Sequence, residues 1–416
     1  MNKKLGLAVA GALVAFSSAA NAGITIPAGD WTVDIGGNVN AYYSHTNYSG
    51  AAAASRESTN QISTGLLPAA FGIGAKTRQN DLDVAFQFSF FTGTSSGSGT
   101  SAGNNTLNIR QAFLTFGDAS WGTIKAGRDL GIYGSDAILS DMTLLGVGNG
   151  AGVTNGGSST LGRIGSGYMY ADWIGQIAYA SPNWNGFSFA AAITEPWANG
   201  VDTSNSNIGY QGKVTYDFAA NDVTGRVWLG GISQKHDGAA TVAAVNSVAA
   251  TGSAGSASYT AATNSVAAIP AVASYTSSGF DVGAKVAYQG AQLVGYYYNG
   301  DGLSGSHSLL SGGLDGALYL ASSTKTKDSG GYVQATYVIP GVGTKLGASW
   351  GQSFSQTPGS APEYKNESWI VGAYHPLTKS LNLVLEYTDQ KIDNVADTRA
   401  NNLESKTVSA GAILFF

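Results

Sequence analysis

The chain has 416 residues, of which 43% are hydrophobic and only 11% charged, with 58 glycines and no cysteine. That length suits one large all-β unit, and the missing cysteines exclude both a disulfide framework and a Cys-ligated metal site. The formal charge of −5 argues against a nucleic-acid partner.

The first predicted element is a leader. "MNKK" supplies a positive start, "LGLAVAGALVAF" an apolar core too short to cross a bilayer as a helix, and "ANA" at 20–22 a small-x-small cleavage pattern. Residues 1–22 read as a secretory signal peptide removed after Ala22, leaving 23–416 as the mature domain. Loss of Lys3 and Lys4 takes the formal charge from −5 to −7.

Beyond the leader, polar and apolar residues alternate. In "WTVDIGGNVNAYY", Trp31, Val33, Ile35, Val39, Ala41 and Tyr43 share one face, with Thr32, Asp34, Asn38 and Asn40 on the other. "DLDVAFQFSF", "NIGYQGKVTYDF", "FDVGAKVAYQ" and "LNLVLEYT" repeat the pattern further along the chain. Period-two runs of about ten residues mark strands with one wet and one apolar face. Nothing after residue 22 is long and apolar enough for a transmembrane helix.

Sixteen candidate strands can be drawn, joined alternately by short and long connections. The short ones lie near 77–80, 117–121, 181–186, 218–222, 289–291, 339–344 and 375–380. The long ones lie near 46–60, 92–106, 129–171, 195–206, 237–278, 299–328, 355–366 and 390–404. A soluble sandwich has no reason to gather its long loops at one end. An outer-membrane barrel does, with an even number of strands, short periplasmic turns and long outer loops. Trp31, Trp121 and Trp184 fall at the inner ends and Trp197 at an outer one, where interfacial girdles belong. The fold class is therefore all-β, a transmembrane antiparallel β-barrel. The closing "SAGAILFF" keeps Val408, Ala410, Ala412, Leu414 and Phe416 on one apolar face to the last residue. A strand in lipid needs partners on both edges, so this one is expected to pair with the first and close the barrel.

Between Leu107 and Ile193 three stretches carry a resemblance: "IRQAFLTFGDASWGTIKAGRD", "SDAILSDM" and "LGRIGSGYMYADWIGQIAYASPNWNGFSFAAAI". With the leader and the terminal Phe, they resemble the general diffusion porins of Gram-negative bacteria, which are sixteen-stranded and usually trimeric. The resemblance implies an outer-membrane, water-filled channel for passive diffusion of ions and small hydrophilic solutes, with no enzymatic chemistry and no cofactor. It implies a third loop, about 129–171, folded into the barrel as a constriction. It also implies a homotrimer in outer-membrane lipid and lipopolysaccharide, and assembly through Phe416 by the barrel-assembly machinery. Gly36, Gly37, Gly72, Gly74 and Ala112 are expected to let neighbouring walls approach.

In that family, acids on the loop face wall arginines, and the transverse field filters solutes. By resemblance Arg110 and Arg163 are the wall arginines, Arg128 sits at the loop's base, and Asp136 and Asp141 are the loop acids. Arg128 also shares the parity of the outward Ile124 and Ala126. Lys125 shares the face of Thr123 and adds positive charge to the lumen. The chain departs from the family after Asp141, where "MTLLGVG" is apolar, and near Ala70 and Phe71, where a basic residue is often found. Thinned acids and retained arginines suggest a weak anion preference, which the lumenal Asp34, Asp81, Asp83, Asp217, Asp281 and Glu386 dilute.

Other apparent sites carry less. "GTSSG" at 93–97 fits G-x-S-x-G but has no helix after it, and the four histidines have no metal spacing. Residues 237–278 form a low-complexity stretch with a near-repeat, "AAVNSVAA" and "AATNSVAA", that reads as a surface loop. Two rival functions remain. A substrate-selective porin for a sugar or organic acid would use an aromatic track such as Trp228, Tyr296 and Tyr298. A secreted all-β adhesin would show a fixed repeat, absent outside the one loop.

Overall fold

The computed structural model describes residues 23–51, 58–93, 107–150, 159–196, 207–238, 273–303, 325–356, 363–393 and 402–416. The expected leader at 1–22, Trp197, the 93–97 motif beyond Gly93 and most of the 237–278 stretch lie outside them.

Alternation becomes a wall of antiparallel strands. They are β1 (Ile24–Ala28), β2 (Trp31–Ser49), β3 (Ser58–Ser63), β4 (Ala69–Gln79), β5 (Leu82–Thr92) and β6 (Asn108–Asp118). Then come β7 (Gly122–Leu130), β8 (Trp173–Ala180), β9 (Phe187–Thr194), β10 (Gly209–Ala220), β11 (Val223–His236) and β12 (Tyr275–Tyr288). The last are β13 (Ala291–Asp301), β14 (Lys327–Val338), β15 (Lys345–Gln356), β16 (Tyr364–Pro376), β17 (Leu381–Asp393) and β18 (Leu403–Phe415). From β4 onward each pairs with the next, and β18 returns to β2.

Two wall strands are composite. β3 and β4 lie on one edge of β2, facing its outer and inner halves. On the other edge, Phe415 faces Asn38, Phe416 and Gly37 exchange backbone hydrogen bonds at 2.9 and 3.1 Å, and Ile24 faces Ile35. β18 and β1 thus meet end to end, and counting each composite once leaves a closed sixteen-stranded wall. The C-terminal strand closes the barrel as its unbroken hydrophobicity requires.

The predicted faces hold. Val39, Tyr43, Phe88, Val214, Val282, Leu385 and Val408 look outward, while Asn38, Asn40, Gln87, Gln211 and Ser409 are buried inside. Asn80 and Asp81, both with positive φ, form the tight β4–β5 turn that suits the twist of the strands. The small-residue expectation does not hold for two positions. A Cβ on Gly72 or Gly74 would meet the Gln87 side chain at 2.9 or 2.3 Å, so these glycines make room inside the lumen rather than between barrels.

The described parts of the third long connection, residues 131–150 and 159–172, fold into the barrel, carrying helix α1 (Ser135–Ser140) and a 3₁₀ turn at Met142–Leu145. Their apolar side chains pack on the inner wall. Tyr133, Ile138, Ile164 and Tyr168 meet Trp228, Ile232, Tyr296 and Tyr332, while Met142 and Val147 meet Tyr42, Ile370 and Tyr374. The aromatic track expected to stack solutes is therefore the bed on which this loop lies, and Tyr298 in it is fully buried.

Candidate permeation site

The wall itself reaches inward to meet the loop. Between the Tyr42–Ser63 and Asn38–Ala70 pairs, residues 39–41 of β2 face the longer run 64–69, so "TGLLP" must leave the sheet. Asn40 holds the excursion from below, accepting from Gly65 N–H (3.0 Å) and donating to Leu67 O (3.0 Å). The loop holds it from above, since Leu66 N–H donates to Gly146 O (2.8 Å) and Thr160 N–H to Gly65 O (2.9 Å). Any Cβ at Gly65 would lie 2.0 Å from Gly146 O, so glycine is required for this approach. Pro68 fits a break where no ladder donor is needed.

The far side of the loop is tied to the opposite wall through its backbone. Gln211 Oε1 accepts from Ile132 and Tyr133 N–H, and Asp281 Oδ2 from Gly134 N–H. Gln334 bridges Met142 N–H and Ser140 O, and Glu386 Oε2 accepts from Val147 and Gly148 N–H at 2.8 Å each. These polar groups satisfy loop backbone that would otherwise be buried unpaired. Asp281 and Glu386, expected as free lumenal charge, are used for this purpose.

Arg163 and Asp141 are inside the same packing. Arg163 is fully buried; its Nε donates to Ser349 Oγ (2.5 Å) and its Nη1 to Ser368 Oγ (3.2 Å). Asp141 accepts from Arg163 N–H (3.2 Å), Tyr168 O–H (2.7 Å) and Thr143 N–H (2.9 Å). Burial draws the Arg163 guanidinium down to about 10, with Asp141 opposing it, so the group is still cationic at neutral pH. This arginine therefore clamps the loop to β15 and β16, and it does not face water.

On the short-turn side of the loop lies a water-accessible space of about 1950 Å³, lined by equal numbers of cations and carboxylates. What matters is which are compensated. Lys76 pairs with Asp34 (3.0 Å), Arg78 with Asp83 and Asp118 (2.9 Å each), and Lys125 with Asp129 (2.5 Å). Asp136, on α1, takes Lys213 at 2.5 Å and Arg226 at 3.0 Å, while Asp217 takes Arg226 at 2.6 Å. Burial alone would raise the Asp136 carboxyl, but Lys213 and Arg226 outweigh it and hold the group below the usual carboxylate range. Among the described residues lining this space, Lys285, Lys345, Asp30 and Asp141 form no ion pair; Asp141 is buried among hydrogen-bond donors, and Lys345 lies 4.5 Å from the Tyr374 ring centre.

Leu67, Leu130, Leu139 and Leu144 line this space and also a second, apolar cavity of about 160 Å³. The two spaces thus share an apolar border, a leucine ring with wall residues on one side and loop residues on the other. The apolar cavity holds one charged side chain among the described residues, Arg110. Strict alternation puts Arg110 on the outward face of Ala112 and Leu114. Instead Ser89 faces Gln111 and Phe90 faces Ile109, and the β-bulge so formed turns Arg110 inward, 5.0 Å from the Phe91 ring centre.

Of the six residues expected at the constriction, Lys125 and Asp136 line the large space, Asp141 borders it while buried, and Arg110 lines the apolar cavity. Arg163 is enclosed, and Arg128 stands exposed on the outward face that it shares with Ala126 and Ile177. Period-two parity already pointed outward for Arg128, and there parity prevailed over resemblance. Missed were Lys213, Arg226, Lys285, Lys345 and the leucine ring. The lysines stand on lumen-facing positions of β10, β12 and β15, so the same parity could have found them. The ring is signalled only by Gly65 and Pro68 inside a strand-like run. Among the described residues no three His, Asp or Glu side chains converge as a metal-binding group.

Residues 8–315 match the Gram-negative porin family. No curated protein matches the chain significantly. Among solved structures, the outer-membrane channel DcaP of Acinetobacter baumannii is similar at TM-score 0.62 and 15% identity, covering 95% of this chain and 100% of its own. An anion-selective porin from Comamonas acidovorans gives 0.56 and 15%, covering 93% and 100%. The trimer form of in-vitro folded OmpT from Vibrio cholerae gives 0.52 and 14%, covering 93% and 99%. At such identities these likenesses show the fold alone; the family match identifies the chain, which belongs to the Gram-negative porins and forms an outer-membrane channel for passive diffusion.

Proposed function

We propose that this porin is a weakly anion-preferring diffusion channel, narrowed by an apolar ring rather than by opposed charges. The observation that carries it is the pair Lys285 and Lys345, which line the water-filled space without an ion pair while the acids of the loop are each held by a partner. Fixed charge without a local counterion sets the potential that a passing ion meets. The Comamonas acidovorans porin of the same fold is described as anion-selective, which agrees with this reading. A homotrimer is part of it, in line with the trimer form of the Vibrio cholerae protein. So are contacts with lipid and lipopolysaccharide, and delivery to the barrel-assembly machinery through Phe416. Porins are typically channels rather than enzymes, and no reaction is assigned to this one. The adhesin alternative is set aside by membership in the porin family.

The test is single-channel recording of detergent-extracted protein in a planar bilayer under a KCl gradient. A reversal potential favouring chloride, with closure in threes, is expected. A clear potassium preference overturns the selectivity, and single-step closure overturns the trimer.

A further inference from the structure

Among the described residues, seven cations line the water-filled space, and Lys285 of β12 differs from the other six. Five of those sit in ion pairs, and Lys345 lies over the Tyr374 ring. Lys285 has no ion pair, hydrogen bond or aromatic ring against its ammonium. Its position makes this costly. Lys285 stands directly opposite Arg226 of β11, and both look into the lumen. Like charges so placed, with Cβ atoms only about 5 Å apart, are destabilising. The two acids whose charge reaches Lys285 are Asp136 and Asp217, and both are already held by Arg226, Asp136 by Lys213 as well. Asp281, further along β12, is turned to Gly134 N–H and Tyr296 O–H. Lys213, Arg226 and Lys285 against Asp136 and Asp217 leave this stretch of wall with a surplus of one positive charge.

The donors around that surplus narrow what would answer it. Lys285 faces Val294 and Ala287 faces Gln292, so Gln292 of β13 is diagonal to Lys285, about 7 Å away on the same lumenal face. Its amide makes no hydrogen bond among the described residues. Arg226 spends Nε and Nη2 on Asp217 and Nη1 on Asp136, which leaves part of its N–H set unused. Guanidinium, ammonium and amide donors on three adjacent strands thus border one patch of wall. Chloride offers them a single centre, and a carboxylate two oxygens with one charge. A tetrahedral oxyanion offers several oxygens to separate donors, and a second negative charge roughly doubles its attraction to the surplus.

We propose that Lys285, Arg226 and Gln292 form a binding site for a small multivalent oxyanion of the phosphate class on the wall of the channel. Lys285 supplies the uncompensated charge. Arg226, held in place by Asp217, supplies fixed donors on one side, and Gln292 a neutral donor on the other. All three line the water-filled space, so the anion keeps part of its hydration and exchanges with solution. The inference rests on the anion-preferring reading above and narrows it, since multivalent oxyanions are retained at one place on the wall while chloride passes.

The test is single-channel recording of the full chain in KCl at neutral pH, with inorganic phosphate or acetate added at equal ionic strength. Calorimetric titration of both anions into the detergent-solubilised protein accompanies it. Phosphate is expected to reduce the chloride current saturably and to bind at one site per chain, with a half-effect concentration at least about tenfold below that of acetate. Lys285→Gln keeps a donor but removes the charge, and should raise that concentration at least about tenfold. Gln292→Leu should raise it about threefold, the loss of one neutral hydrogen bond. Lys76→Gln removes a lysine that lines the same space but is paired with Asp34, and should leave the phosphate effect within about twofold of wild type. Phosphate that acts no more strongly than acetate overturns the site. So does a phosphate effect that survives Lys285→Gln, or one that Lys76→Gln weakens equally, since a diffuse field would then be at work. Chloride preference without a phosphate effect overturns this inference alone. Phosphate binding that Lys285→Gln removes, in a channel that prefers potassium, keeps the site and overturns the selectivity reading.

Discussion

Lys213 of β10 and Asp136 of α1 meet at 2.5 Å, and Arg226 of β11 reaches the other oxygen of that carboxylate at 3.0 Å. One carboxylate thus joins the loop to two adjacent wall strands and offsets much of their charge. Asp136→Asn keeps the size and a hydrogen-bonding oxygen but removes the negative charge. The chloride-to-potassium permeability ratio, read from the reversal potential, should then rise by about two- to threefold, as for a fixed charge at a narrow passage. An unchanged ratio would show that ions pass out of range of this group.

The same carboxylate should be slow to titrate. Its charged form is stabilised by Lys213 and Arg226 beyond the cost of burial, so its folded value lies below the unfolded one of about 3.9. A depressed acid contributes stability that is present above the unfolded value and lost as pH falls through the folded value. The difference in selectivity between wild type and Asp136→Asn should therefore be constant from pH 7 to about 4 and vanish only below that. Taking the difference removes contributions from other lumenal acids such as Asp217 and Asp281. A midpoint between pH 5 and 6 would contradict the ion-pair account.

Much of this architecture is legible in the sequence, and the limits of that legibility have physical causes. The outward faces follow from period two because a polar side chain facing the lipid core is costly. The long connections separate from the short ones for the same reason. Inside the barrel the rule loses force, since an inward side chain can face water or a folded-in loop. Arg163 and Lys285 are both basic residues on the inside, yet one is sealed under the loop and the other lines open space. No local pattern distinguishes them. Arg110 was placed inside by resemblance although its parity points outward, and only the bulge opposite Ser89 and Phe90 reconciles the two.

Arg163 should act on the loop rather than on ions. Arg163→Met removes the donors to Ser349 and Ser368 while keeping much of the side chain's length. Losing charge-assisted hydrogen bonds costs about 1.5–3 kcal/mol, and relief of guanidinium desolvation returns part of that. The expected result is a barrel that resists denaturation in detergent as before, with noisier open-channel current and faster proteolysis between 131 and 172. Reversal potential should stay within a few millivolts of wild type, because Arg163 is fully buried and lines no part of the water-accessible space. A marked loss of anion preference would mean that Arg163 reaches the ion path after all.

The leucine ring makes a different prediction, about wetting. Leu139 is 36% exposed near the end of α1 although the barrel surrounds it, and Leu67 on the strand excursion lines the same two spaces. An apolar constriction can interrupt a column of water without any steric plug, because water near such walls gives up hydrogen bonds that the walls cannot replace. Leu139→Asn changes the volume little and supplies donors and acceptors within the leucine ring. Single-channel conductance should rise by about two- to threefold with little change in ion preference, since no net charge is added. Leu139→Met, which keeps the site apolar and adds no polar partner, should leave conductance close to wild type. If both variants raise conductance equally, the restriction is one of shape. If neither does, ions bypass the ring along the charged wall of Lys213, Lys285 and Lys345, and selectivity and conductance are set at the same place.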